Sequence, residues 1–308
     1  FYFEDGSHDP DRFGTHSHST TCVTSSLAQF ADLTSDSKLM SRVKLFYDKG
    51  LWDIRDEIGW SPENSGYEKY TDRGEINNTS DILETALILG RWGYPECYHD
   101  AERILRCHLL PSQLRDVSWI PKPQNPRGLD GLHNVADRLR GTWGFPAPYG
   151  HQPVDFERIS YNLDVVGGAA LALCEAYKAI TRYDQGAHWV DLLFDRETSY
   201  IKVESPYTHP NLRITLKRPG PLFVRIPPWV DHRKLNVRGV TNMPRYISGY
   251  VLLSNPPVNR PISFEFPLST HEITLNHRGK KIRAQLRGDE VLAMEHLGAS
   301  LTFFDPLE

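Results

Sequence analysis

Apolar positions follow two different rhythms along this chain. Up to about residue 183 they recur three and four residues apart, the spacing of one helix face. Beyond it they alternate with polar residues, the spacing of strands buried on one side. The first rhythm predicts helices over 19–34 (Val23, Leu27, Phe30, Ala31, Leu33) and 36–50 (Leu39, Met40, Val43, Leu45, Phe46), separated at Ser35-Asp36. It predicts a second pair over 79–93 (Ile82, Leu83, Ala86, Leu87, Leu89) and 95–110 (Ala101, Ile104, Leu105, Leu109). Gly93 stops the first of that pair, and Pro95 opens the second where its missing N–H costs nothing. Asn78 or Thr79 is expected to cap helix 79–93. A short helix near 131–140 and a long one over 163–182 complete the set. Gly167-Gly168 inside the last costs about 1 kcal/mol per glycine against alanine, which points to close approach of a backbone or ligand.

The second rhythm runs through HWVDLLF, YIKVES, LRITLK, LFVRIP, YVLLS, ISFEFP, HEITL and KIRAQL, punctuated by Gly, Pro and Asn. It predicts an antiparallel β-sandwich. The chain therefore reads as α + β and multidomain, with a helical-hairpin domain over 1–185 and a sandwich over 186–308. Trp229, after Pro-Pro, is expected to plug the sandwich or its junction with the helices.

Composition narrows the function. The 308 residues carry a net charge of -4 with no dense Lys/Arg cluster, which argues against a nucleic-acid partner. No apolar run approaches the roughly 18 residues of a membrane span. Cys22, Cys97, Cys107 and Cys174 form no CxxC pair and read as four buried thiols. No metal and no cofactor are expected. The chain opens at Phe1 in a polar stretch, so an N-terminally truncated sequence is expected.

The candidate chemistry lies in the loop before helix 79–93. Glu57, Glu63, Glu68 and Glu75 alternate there with Trp60, Tyr67 and Tyr70. Carboxylates beside aromatic rings suit a carbohydrate, because glycoside cleavage needs a general acid and a second carboxylate as base or nucleophile. Glu75 just precedes a helix whose positive end favours its ionised form. Glu63, among Trp60, Pro62 and Tyr67, is expected to favour its neutral form. Two carboxyls pushed apart in this way are an acid/base pair, with Glu57 as the reserve acid. His16 and His18 point the same way if extended, and with Asn77 and Asn78 would orient sugar hydroxyls. The proline-rich stretch 111–162 offers Trp143 and Tyr149, either to stack on sugar or to pack the loop on the helices. The plainer alternative is a solvated acidic loop in which Glu75 merely caps the helix.

The segment VESPYTHPNLRITLKRPGPLFVRIPPWV, followed by GYVLLS and FEFPL, resembles the sandwich of the β-L-arabinofuranosidase-like glycoside hydrolases, glycoside hydrolase family 127. TSDSKLMSRV resembles that family's helix-turn-helix signature, and RGEINNTSDILETALIL its Glu-x-Cys helix start. The resemblance implies an (α/α)6 toroid followed by a β-sandwich. With five to seven helices before the sandwich, and motifs beginning halfway through the family's order, the toroid here is expected to be partial, with an exposed apolar edge. The resemblance also implies a zinc site of one Glu and three Cys, one Cys being the nucleophile. The Glu matches Glu75, but Asn77 stands at the first Cys position and LDVVGG holds none of the downstream pair. A divergent member with other chemistry is therefore expected: a glycoside hydrolase acting on a plant- or microbe-derived oligosaccharide or polysaccharide through carboxylates. The alternatives are a non-catalytic glycan-binding or structural module, or a polysaccharide lyase using Tyr67 and Arg73 on a uronic acid.

Overall fold

The structure of the protein, a computed structural model, describes residues 2–65, 72–154, 163–277 and 280–307. One helix organises the first half. Helix α4 (Ile76–Arg91) packs against α2 (Ser17–Thr34), α5 (Pro95–Ile104) and α7 (Leu163–Ala179), while α3 (Ser37–Asp48) leans on α2. Thirteen of the sixteen α4 residues are buried, as expected for a helix enclosed on most of its circumference. Two short helices, α1 (Pro10–Phe13) and α6 (Val135–Leu139), lie in the connecting stretches.

Helix α2 does not bury the face its large apolar residues suggest. Its buried stripe is Ser17, Thr20, Thr21, Thr24, Ser25, Ala28 and Ala31, while Phe30 and Leu33 are exposed. The reason is chemical. Small side chains allow close approach to α4, and α4 supplies carboxylates for the hydroxyls: Thr21 Oγ1 donates to Asp81 at 2.8 Å and Ser25 donates to Glu84. Helix α7 likewise buries Val165, Ala169, Ala172 and Ala176 and exposes Leu171 and Tyr177. The outer flanks of α2 and α7 thus carry exposed apolar side chains. The described residues hold five helices of ten residues or more and no closed ring of twelve.

Several boundaries depart from the sequence reading. Glu75, not Asn78 or Thr79, stands at the N-cap of α4, and it makes no side-chain cap bond. Thr79 donates instead to the Gly59 carbonyl at 2.9 Å, tying helix to loop. Asp36 caps α3 through the Lys38 and Leu39 amides. Helix α7 stops at Ala179, because Thr181–Asp184 leaves it to form a strand. Cys22 and Cys174 are exposed, so only Cys97 and Cys107 are buried thiols.

Among the described residues fourteen strands follow. Strands β1 (Thr181–Asp184), β2 (Ala187–Val190), β6 (Leu222–Arg225), β9 (Tyr250–Leu253) and β8 (Arg245–Ile247) form one sheet in that order. A second contains β3 (Arg196–Glu197), β4 (Ile201–Glu204), β5 (Leu212–Leu216), β10 (Pro261–Glu265) and β7 (Asn236–Arg238). Alternate residues of both sheets meet in one core, Val190, Leu222, Val224 and Val251 from the first, Ile201, Ile214, Ile262 and Phe264 from the second. The expected antiparallel order is broken once in the first sheet, where β2 and β6 run parallel. Between them the chain leaves to build β3–β5 in the other sheet, and so re-enters in the same direction.

A third sheet, β11 (Thr270–His277), β12 (Lys280–Arg287), β13 (Glu290–Met294) and β14 (Asp305–Pro306), has a separate core. Its Leu275, Ile282, Ala284, Leu286 and Met294 pack against Ile58, Trp60, Cys107 and Tyr149 of the helical half. The turn between β12 and β13 pins the parts together through Asp289. That carboxylate meets His99 Nε2 at 2.9 Å and accepts from Trp229 Nε1 at 2.9 Å. The backbone of Asp289 donates to the Tyr207 hydroxyl and accepts from the Cys107 thiol. Trp229 therefore joins the sheets to α5, as its position after Pro-Pro suggested.

Candidate functional site

Three short extended segments meet at the N-terminus of α4. His16 bridges Asn64 and Pro62 bridges Gly74 in antiparallel fashion. The Ser17 amide donates to the Glu63 carbonyl at 3.0 Å, the Glu63 amide to the Arg73 carbonyl at 3.1 Å, and the Glu75 amide to Ser61 at 3.3 Å. This small ladder aligns His16, Glu63 and Glu75, which are distant in sequence. From the other side the 144–146 stretch accepts the Gly74 and Ile76 amides. Gly74 has no alternative here, since a Cβ would lie 2.3 Å from Trp60 Nε1.

Glu75 is the buried centre of the group, with its side chain 5 % exposed. Its Oε2 lies 3.0 Å from His16 Nε2, and its Oε1 accepts from Asn77 Nδ2 at 3.1 Å. His18 Nδ1 is 3.9 Å from Oε1. The two imidazoles meet edge to face and are 48 % and 30 % exposed, so they form the solvent side of the carboxyl. His18 belongs to α2 rather than to an extended strand, and both histidines turn to Glu75.

Glu63 pairs with Arg73, whose guanidinium lies 4.0 Å from the Phe145 ring centroid. Burial pushes the Glu63 carboxyl above the usual range; Arg73 opposes that push, and the nearby Glu75 adds to it. The upward direction agrees with the sequence reading, but the mechanism differs. Desolvation comes with a bound arginine, not from an aromatic cage. Arg73 is in turn engaged by Glu63, where the lyase reading would have it meet a substrate carboxylate.

Other expected residues sit elsewhere. The Trp60, Trp143 and Tyr149 rings are 4 %, 4 % and 1 % exposed. Each gives its polar atom to the protein: Trp60 Nε1 to Pro146, Trp143 Nε1 to Leu109, and the Tyr149 hydroxyl to Asp72. Buried aromatics with a polar handle need such partners, and these three are loop staples whose faces sugar does not reach. Asn78 is fully buried and donates to Pro62 and Ser61, so it holds the loop rather than a hydroxyl. Glu57 turns toward the third sheet, accepting from the Asn276 amide and side chain. Tyr67, with Glu68 and Tyr70, lies outside the described residues.

Asp81 belongs to the group and was missed. Its Oδ2 lies 3.4 Å from His18 Nε2 and accepts from Thr21. Burial, with Glu84 and Glu75 nearby, raises its carboxyl to about 8. The available signal was the hydroxyl stripe of α2 at helical period, which requires acceptors on the facing helix.

The donor set does not fit the zinc site that the sequence resemblance implies. The carboxyl of Glu75 is occupied by His16 and Asn77. Gly168, where the family's cysteine pair would fall, abuts Asn77, since a Cβ on it would lie 2.3 Å from Asn77 Oδ1. Among the described residues no three His, Cys, Asp or Glu side chains are arranged to hold a metal ion. No helix among them is long and apolar enough to cross a membrane.

No family model matches the sequence, and no curated protein matches it. Solved structures do match the fold. A GH127 β-L-arabinofuranosidase from Geobacillus stearothermophilus T6 is 15 % identical over 90 % of this chain and 46 % of its own, with a TM-score of 0.58. A GH127 β-arabinofuranosidase is 14 % identical over 91 % and 48 %, with a TM-score of 0.62. A further structure titled glycoside hydrolase is 13 % identical over 91 % and 52 %, with a TM-score of 0.53. The chain therefore has a GH127-like α + β fold and spans about half the length of the structures it matches.

Proposed function

We propose that the protein is a glycoside hydrolase working through carboxylates, with Glu63 as general acid and Glu75 as base or nucleophile. The observation that carries this reading is the His16–Glu75–Asn77 cluster with Glu63 electrostatically coupled beside it. A carboxyl raised by burial next to one surrounded by hydrogen-bond donors is the division of labour that glycoside cleavage requires. His16 and His18 sit on the solvent side and would meet substrate hydroxyls. Asp81, held protonated near neutral pH, would keep His18 oriented. Glu57 is a tether in this reading. We take the helices as part of an (α/α)6 toroid and the two five-stranded sheets as the layers of a sandwich.

The fold neighbours named as arabinofuranosidases make terminal β-L-arabinofuranosides the first substrates to offer. The test is release of reducing sugar from such glycosides by the wild type, Glu63→Gln and Glu75→Gln. Wild-type turnover with a loss of at least about a hundredfold in each variant supports the assignment. Near-normal turnover in either variant removes that residue, and binding without cleavage by the wild type makes this a glycan-binding module.

A further inference from the structure

A second polar cleft, of about 450 Å³, opens between the end of α5 and the third sheet. It shares no lining residue with the Glu75 group. Its volume lies within the roughly 300–1,000 Å³ of small-molecule sites. The chain reaches it through a π-helical turn, Leu105–Leu109, closed by the Leu110 amide on the Leu105 carbonyl at 3.0 Å. Such turns recur at functional sites because they re-aim side chains out of helical register.

The re-aimed side chain is Arg106. Its guanidinium lies 3.8 Å from the Phe194 ring centroid and 3.6 Å from that of Tyr207. Nε donates to Glu102 at 3.0 Å and Nη2 to the Leu193 carbonyl at 2.8 Å. A guanidinium fixed on both faces and two edges loses little freedom when it meets an anion. Arg115 supplies a second, exposed cation, anchored by Nη2 on the Leu110 carbonyl at 3.3 Å. The cleft is also lined by aromatic rings. Phe303 meets the His151 ring edge to face at 4.8 Å, and Trp119 continues the row 6.5 Å from His151. Burial brings His151 down to about 4, so it is a neutral ring at working pH.

We infer that this cleft binds an acidic saccharide, with a uronate carboxylate on Arg106 and Arg115 and a pyranose face on the Phe303–His151 wall. Arg106 is already ion-paired through Nε with Glu102 and bonded through Nη2 to Leu193, so it would meet the carboxylate by its remaining nitrogen, with Arg115 adding a second charge-assisted contact. The carboxylates of Asp116 and Glu290 also line the cleft. Glu290 is paired with Arg287 and Asp116 accepts from the Ser118 amide, and their remaining lone pairs can accept from sugar hydroxyls while disfavouring anions of higher charge than a single carboxylate. The inference stands apart from hydrolysis at Glu75, since a binding cleft serves a hydrolase and a binding module alike.

The test is titration calorimetry of the full chain with trigalacturonate, galactotriose and inorganic phosphate. Trigalacturonate should bind, and galactotriose and phosphate at least about tenfold more weakly, the scale of one charge-assisted contact. Arg115→Gln, at an exposed position, should fold normally and lose about tenfold in trigalacturonate affinity, while Glu75→Gln should bind as the wild type. The inference is overturned by no trigalacturonate binding, by equal binding of any of the three ligands, or by an unchanged Arg115→Gln. Loss of binding in Glu75→Gln would assign the saccharide to the other site and overturn it as well.

Discussion

Two carboxylates in this molecule have nearly the same company and unequal access. Asp289 meets a histidine, a tryptophan N–H and, at 3.7 Å, an arginine; Glu75 meets two histidines and an asparagine amide. Around Asp289 access is narrower: its side chain is 0 % exposed, His99 13 % and Arg103 25 %, and the cluster joins α5, the sheets and the β12–β13 turn. Around Glu75 the carboxyl is buried but its histidines are open to solvent. Charge, donors and burial of the acid therefore do not separate a structural clamp from the proposed chemical site. The exposure of the partners does, because a substrate has to reach the donors before it reaches the acid.

The largest expected effect breaks the Asp289 cluster. Asp289→Ala removes the buried acceptor that the half-buried His99 and Trp229 share and should cost about 3–5 kcal/mol of stability, read by urea unfolding. Turnover per folded molecule should stay near normal, and an equal fall in turnover would blur the distinction. Acid adds a second handle on the same group. His99 and Trp229 hold the Asp289 carboxyl down at about 2 in the fold, against their burial of it. Its stabilising contribution is present above the unfolded value near 3.8 and is lost as pH falls through the folded one.

Next in size is Gly168→Ala. The added methyl meets Asn77 Oδ1 and must displace the amide that Glu75 accepts from. Overpacking of this kind costs about 1–3 kcal/mol, and unlike Asp289→Ala it should lower turnover per folded molecule too. Unchanged turnover would show that Asn77 does not position Glu75.

At Asp81 the expected effect has the opposite sign, and it shows as a pH slope rather than a fixed loss. The folded carboxyl holds its proton up to about 8, well above the unfolded value. Stability therefore falls as pH rises from about 4 to about 8 and levels off beyond. Asp81→Asn should lie within about 1 kcal/mol of wild type at pH 4 and gain on it steadily toward pH 8. Parallel stability profiles for the two proteins would contradict the buried, protonated Asp81.

Much of this was legible in the sequence where local rules apply. Helix α4 announced itself by apolar period and by Gly93-Pro95, and Glu75 by its place before the helix. The His16/His18 spacing marked the pair as neighbours, but not the carboxyl they meet. The failures share a cause, which is that partners came from distant segments. Asn78 reads as a cap, but the Pro62 carbonyl claims it. Trp60, Trp143 and Tyr149 read as sugar platforms, but carbonyls and Asp72 across the loops claim their polar atoms. Large apolar residues on α2 drew attention away from a hydroxyl stripe that only facing carboxylates make favourable to bury. The separate third sheet was invisible because strand period says nothing of which core a strand joins.

The most direct test of the acid/base assignment compares leaving groups. For a glycoside the protein cleaves, kcat/KM of wild type and Glu63→Gln is measured with a nitrophenyl and with a methyl leaving group. A general acid matters most when the leaving oxygen is basic. Glu63→Gln should lose at least about a hundredfold on the methyl glycoside and much less on the nitrophenyl one. Equal losses on both, or none on either, would contradict the role of Glu63 as the proton donor.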